Sequence, residues 1–180
     1  MNGPRWITGG MSGSYYYGVE WHNWPLDFNF ATLKISKIPL AASPSAGAFS
    51  MAVGCASGNR ECTLVVVGGD YNLPNATQAT AAFAHIKNAA SIPAKFIAAS
   101  TMPHGYRSAV AFDAASKTFI AVGPNGSDIS RNMGSHWQPL KPAPSDAPEA
   151  DQDWNALALP FAVGPHGRIG RLSPAALAPR

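Results

Sequence analysis

An all-β fold, a partial β-propeller of about three to four four-stranded antiparallel blades, is what this sequence predicts. Three observations carry that expectation. The first is a repeat: AVGPNGSDIS at 121–130 returns as AVGPHGRIGR at 162–171, a shift of 41 residues. The second is a recurring strand form. LVVVGGDYN at 64–72 is likewise an apolar run closing on glycine, and the 55 residues from Gly68 to Gly123 accommodate the polar insertion NLPNATQAT. The third is composition: 46% hydrophobic and 13% charged residues with 17 glycines and 16 prolines describe short apolar runs broken by many turns. Periods of ~40 to 50 residues made only of short strands are the mark of propeller blades.

The elements follow in order. Over 1–42, a degenerate partial blade, WITGG reads as a second strand, SYYYGVE as a third and FATLKISKIPL as a fourth. AFSMAV (48–53) begins a blade over 43–101 that contains the insertion. RSAVAFD (107–113) begins the best-preserved blade, over 102–145. It continues through the turn AASK, a strand at 118–123, the turn PNG, a strand at 127–131 and a last strand from Trp137. Asn125 and Gly126 both tolerate the positive φ of a tight hairpin turn. WNALAL (154–159) begins a partial C-terminal blade over 146–180.

The polar run SRNMGSHW after the 127–131 strand resembles the Asp-box pattern S/T-x-D-x-G-x-x-W of sialidase-type propeller repeats, through Ser130, Asn132, Gly134 and Trp137. The resemblance implies a structural staple. Ser130 and Asn132 accept hydrogen bonds from turn amides, Gly134 supplies an unusual backbone angle, and Trp137 packs into the blade. Asn132 stands where the pattern has aspartate, so it keeps an acceptor oxygen and loses the charge that strengthens such bonds.

The succession SPSAGAFSMAV, VVVGGDYNLPN, GYRSAVAFD, FIAVGPNGSDIS and FAVGPHGRIGRL, over residues 43–172, resembles the bacterial BNR/Asp-box propeller proteins related to photosystem II stability and assembly factors. The resemblance implies a noncatalytic binding or assembly scaffold and an extracytoplasmic location, periplasmic or secreted. The opening MNGPRWITGG has neither the charged start nor the apolar middle of a signal peptide. Family members usually run to twice this length, so the chain reads as a C-terminal fragment.

Chemistry outside the resemblance is sparse. The net charge of +3 comes from 13 scattered Lys and Arg, which gives no footprint for nucleic acid. No run reaches the length of a membrane-spanning helix. The alternative reading, a sialidase-like or other carbohydrate-active hydrolase with part of its site elsewhere, needs an arginine cluster, a tyrosine nucleophile with its base, and an acid. Tyr15, Tyr16, Tyr17 and Glu20 lie close in sequence, but strand alternation makes the aromatics packing residues, and no catalytic set is assigned. The five histidines are isolated from one another and no P-loop or dinucleotide fingerprint occurs, so neither metal nor cofactor is expected. Cys55 and Cys62 flank a hairpin tip, and their spacing leaves a disulfide and two free thiols equally open.

Topology supplies a candidate binding rim. In successive antiparallel blades, the loops entering each first strand and the turns joining second to third strands share one end. That end collects Asp70, Tyr71, His104, Tyr106, Arg107, Asn125, Asp153, Trp154, His166 and Arg168. Aromatic residues and arginine are enriched at interface hot spots, and the expected partner is a protein or a carbohydrate. The apolar runs FSMAV, AVAF and FAVG further predict self-association through open blade faces.

Overall fold

The computed structural model describes residues 5–9, 15–19, 34–56, 61–87 and 95–178. It is all-β, with four antiparallel sheets in chain order. The first holds β1 (Arg5–Gly9), β2 (Tyr15–Val19) and β3 (Lys34–Lys37). The second holds β4 (Ala46–Cys55), β5 (Cys62–Asp70), β6 (Ala81–Ile86) and β7 (Ile97–Ala98). The third holds β8 (Ala109–Asp113), β9 (Thr118–Gly123), β10 (Gly126–Ser130) and β11 (Gln138–Pro139). The fourth holds β12 (Ala156–Ala158), β13 (Phe161–Val163) and β14 (Ile169–Arg171). Each sheet is a meander in which consecutive strands pair, and none closes on itself. Among the described residues no helix is long and apolar enough to cross a membrane.

The sheets stand in a row with their first strands as neighbours: β1 borders β4, β4 borders β8, and β8 borders β12. Strand alternation then gives each inner sheet two apolar faces. In β5, Leu64 and Val66 join Ile38 and Leu40 in one cluster, while Val65 and Val67 join Phe119, Ala121 and Trp137 in the next. In the third sheet, Ile120, Val122 and Ile129 turn the other way and meet Trp154, Leu157 and Ala162. A strand buried on both faces reads as a continuous apolar run, which is why LVVV and FIAV lack polar alternation. The alanines Ala81, Ala82 and Ala84 of β6 are all buried, and their small side chains let neighbouring sheets approach closely.

The glycines that close the second strands have a steric cause. A Cβ at Gly68 would run into the carbonyl oxygen of Gly47, at Gly123 into that of Tyr106, and at Gly164 into that of Asp153. In these three sheets the chain entering or beginning the first strand crosses the end of the second at backbone contact. The same crossings stitch neighbouring sheets: Arg107 N donates to Gly68 O, and Trp154 N to Gly123 O.

Cys55 and Cys62 are register partners at the far end of the β4–β5 hairpin, and they are joined as a disulfide with Cα atoms 4.0 Å apart. The two readings left open by their spacing thus resolve to the bridge.

Candidate binding rim

The segment after β10 forms a closed hydrogen-bonded turn. Gly134 N donates to Ser130 Oγ at 2.9 Å, His136 N donates to Asn132 Oδ1 at 3.1 Å, and Ser130 Oγ donates to Asn132 Oδ1 at 3.0 Å. Gly134 takes φ +86°, and a Cβ there would crowd Val65. Trp137 is buried against the second sheet and donates its indole N–H to Gly134 O at 3.1 Å. Its backbone N–H reaches Thr101 O, so the turn also ties the outer margin of the third sheet to that of the second. This turn joins β10 to β11 and therefore lies at the opposite end of the sheet from the β9–β10 turn.

At the β9–β10 end, the expected rim residues separate into three groups. The first is an exposed aromatic patch. Tyr71, 50% exposed, presents its ring edge-on to Phe49 at 6.1 Å between centroids, and Phe49 meets Tyr106 at 5.0 Å with the rings nearly perpendicular. These edge-to-face pairs fix ring orientation beyond simple burial. Burial of the Tyr106 phenol raises its pKa above the usual tyrosine value. Leu73, also exposed, extends the patch along the loop after β5. Asp70 is the anchor of that loop: its carboxylate accepts from Ser43 Oγ at 2.8 Å, Ser45 Oγ at 2.6 Å and Asn72 N at 2.9 Å. The Ser45 and Ser43 hydrogen bonds hold its pKa below the ordinary carboxylate value.

The second group is a locked polar hub. Arg107 has no exposed surface, so it underlies the rim and is not presented on it. Its Nε donates to Asp128 Oδ2 at 2.7 Å, Nη2 is ion-paired with the same carboxylate, and Nη1 donates to Tyr106 O and Asn125 Oδ1 at 2.6 Å each. Desolvation lowers the Arg107 pKa, and the Asp128 charge opposes that shift. His104 Nδ1 lies 2.9 Å from Asp128 Oδ1, and its Nε2 lies 3.1 Å from Asn125 O. The Asn125 amide nitrogen donates to Pro74 O and Asn75 Oδ1, pinning the loop after β5 to the β9–β10 turn.

The third group is built around Trp154, which is buried under the fourth sheet with its indole N–H on Ala150 O at 3.1 Å. Arg168 lies over its face, 4.3 Å from the ring centroid, and donates to Glu149 O at 3.0 Å. Asp153 and His166 are exposed and share positive φ, both at 56°. A shallow groove of about 620 Å³ runs past His104 between Thr77, Gln78, Ala99 and Thr101.

The sequence pattern did not single out Phe49 or Asp128. Phe49 sits where a register shift between Ala48 and Ser50 interrupts the β4 alternation. Asp128 is the one charged residue inside the short strand GSDIS, a signal of burial that does not by itself name its partner. The side chains of Tyr15, Tyr16 and Tyr17, and Glu20 altogether, lie outside the described residues. Among the described residues no group of three or more His, Cys, Asp or Glu side chains is arranged to hold a metal ion.

Comparison of the chain with protein-family models, with curated proteins and with solved structures finds no match.

Proposed function

We propose that this chain is a noncatalytic binding or assembly scaffold made of β-propeller blades of the BNR/Asp-box type, with the rim at the β9–β10 end as its contact face. The observation that carries the proposal is the row of four meander sheets whose first strands β1, β4, β8 and β12 are successive neighbours. Blades radiating from a common axis have this order. The turn at 130–137 adds support, because Ser130, Asn132, Gly134 and Trp137 make the contacts that an Asp-box staple requires.

The rim itself favours binding. Its buried charges are engaged with each other: Asp128 by Arg107 and His104, and Arg107 by Asp128 and Asn125. What the rim offers outward is the aromatic patch of Phe49, Tyr71 and Tyr106, held in place from below. Rigid aromatic anchors on a hydrogen-bonded base suit recognition of a protein or carbohydrate surface. The Cys55–Cys62 bridge accords with an extracytoplasmic setting, where disulfides persist.

The test pairs turnover with binding. Purified protein is offered fluorogenic sialosides and aryl glycosides, and it is screened on immobilised glycans alongside a Phe49→Ala/Tyr71→Ala variant. The scaffold reading expects no turnover and binding that the variant loses. Hydrolysis above background, or binding that is indifferent to the variant, would overturn it.

A further inference from the structure

We propose that Asn75 is an acceptor site for an N-linked glycan, and that the fold selects it over a second site of the same pattern. The pattern N-x-S/T, with any residue but proline in the middle, is the signal for attaching sugar to an asparagine side chain. It occurs at Asn75-Ala76-Thr77 and again at Asn125-Gly126-Ser127. By pattern the two are equivalent. Their surroundings separate them.

Asn75 sits in the loop after β5. Ala76 N donates to Leu73 O at 2.9 Å, closing a turn with Pro74 and Asn75 at its two central positions, and proline is favoured at the first of these. Asn75, Ala76 and Thr77 are all exposed. Asn75 Oδ1 accepts from Asn125 Nδ2 at 2.9 Å, which holds the amide in place, whereas Asn75 Nδ2 makes no hydrogen bond among the described residues. The hydrogen bond from Thr80 Oγ1 goes to the Thr77 carbonyl and leaves the Thr77 hydroxyl unengaged. The nitrogen that would carry the sugar and the hydroxyl that completes the signal are thus both open to a transferring enzyme.

Asn125 has neither freedom. Its Nδ2 donates to Pro74 O at 3.0 Å, Asn75 Oδ1 at 2.9 Å and His104 O at 3.2 Å, and its Oδ1 accepts from the buried Arg107. Gly126 and Ser127 open β10, Ser127 is 4% exposed, and its hydroxyl donates to Asp151 O at 2.8 Å. A sugar on Asn125 Nδ2 would leave a single N–H for three acceptors and would part the loop after β5 from the β9–β10 turn. Asn125 is therefore the support of the site, and Asn75 is the acceptor.

The co-reactant is a lipid-linked diphosphate oligosaccharide. A bond forms between Asn75 Nδ2 and the anomeric carbon of the first sugar, and the bond from that carbon to the diphosphate oxygen breaks, its electron pair leaving with the diphosphate. One amide proton is lost to base, and nothing is oxidised or reduced. In the cell the step rests on the extracytoplasmic setting proposed above, with which the Cys55–Cys62 bridge accords. The glycan would stand on the loop that carries Tyr71 and Leu73, beside the aromatic patch.

The test presents the purified, folded and disulfide-bonded chain to a single-subunit oligosaccharyltransferase that reads the plain N-x-S/T signal, with a lipid-linked oligosaccharide as donor. Because the acceptor is supplied directly, the result does not depend on where the protein resides. Intact mass and glycopeptide mapping should show one glycan per chain, on Asn75, and none on Asn125. Thr77→Ala should abolish the transfer without moving the denaturation midpoint, and Thr77→Ser should retain it. The reduced and unfolded chain should take sugar on Asn125 as well, because the fold is what withholds that site. The Phe49→Ala/Tyr71→Ala protein should be modified as fully as the unaltered chain, so failure of the rim reading and failure of this one are distinguishable. A folded chain that takes no sugar on Asn75, takes it on Asn125, or takes it on Asn75 in spite of Thr77→Ala would overturn the proposal.

Discussion

The third and fourth sheets share a repeated sequence and differ in almost everything that burial decides. FIAVGPNGSDIS and FAVGPHGRIGR align at the 41-residue shift, yet Ile120 is 1% exposed where Phe161 is 50%. Asp128, 1% exposed by side chain and paired with Arg107, corresponds to Ile169, which is 72% exposed. The difference teaches that the repeat sets strands, turns and facing, whereas a neighbouring sheet sets stability. The third sheet has a neighbour on each face, an ionic hub at one end and the Ser130–Trp137 turn at the other. Among the described residues the fourth sheet packs on the third alone, around Trp154 with Arg168 over its ring.

Removing the hub should separate the two regions most strongly. Arg107→Ala leaves Asp128 buried without its countercharge, and breaking a buried pair in this way costs about 3 to 5 kcal/mol. Chemical denaturation should show that loss. If the midpoint is unmoved, the hub does not hold the second and third sheets together. A paired replacement of Arg107 by Met and Asp128 by Leu should recover most of the loss, because well-packed apolar residues can stand in for a buried ion pair.

Trp137→Ala acts at the other end of the same junction and should cost about 3 to 5 kcal/mol, the range for truncating a packed large aromatic. Asn132→Asp restores a charged acceptor opposite His136 N and should be neutral or stabilising. Denaturation midpoints of the two variants check this, and an unchanged midpoint for Trp137→Ala would rule out the staple. On the fourth sheet the matching change is small: Arg168→Ala removes a partly exposed cation–π contact worth about 0.5 to 1 kcal/mol. A loss equal to that of Arg107→Ala would erase the contrast between the sheets.

The smallest effect belongs to the rim loop. The folded pKa of Asp70 lies below its ordinary value of 3.8, through hydrogen bonds from Ser45 and Ser43. Its contribution is therefore complete above 3.8 and is lost as pH falls through the lowered folded value. Amide shifts of Ser45 and Asn72 followed by NMR should titrate below 3.8, and in Asp70→Asn they should stay flat. Titration above 3.8 would mean that the serine hydrogen bonds do not persist in solution.

Local pattern carried much of this architecture. Glycine-closed apolar runs located β5, β9 and β13, and the Asn125–Gly126 pair located a turn, because turn chemistry and strand period are short-range properties. The third strand of the second sheet was not singled out: AAFAHI follows a polar insertion, and its alanines carry little β signal. The hub was not legible either. Arg107 and Asp128 are 21 residues apart, and nothing local distinguishes an arginine that will be sealed under a loop from one on the surface. By sequence alone Arg107 therefore counts among the rim residues, whereas the fold seals it beneath them. Topology puts Trp154 and Arg168 on one rim, but the stacking that joins them depends on the chain's return through residues 165–168.

Hydrogen exchange resolved by strand tests the central claim that sheet neighbours set local stability on a common repeat. Amides of β9 and β10, buried throughout, should be strongly protected. Those of β13 and β14, with alternate residues exposed, should exchange readily. Equal protection of the two sheets would contradict the account.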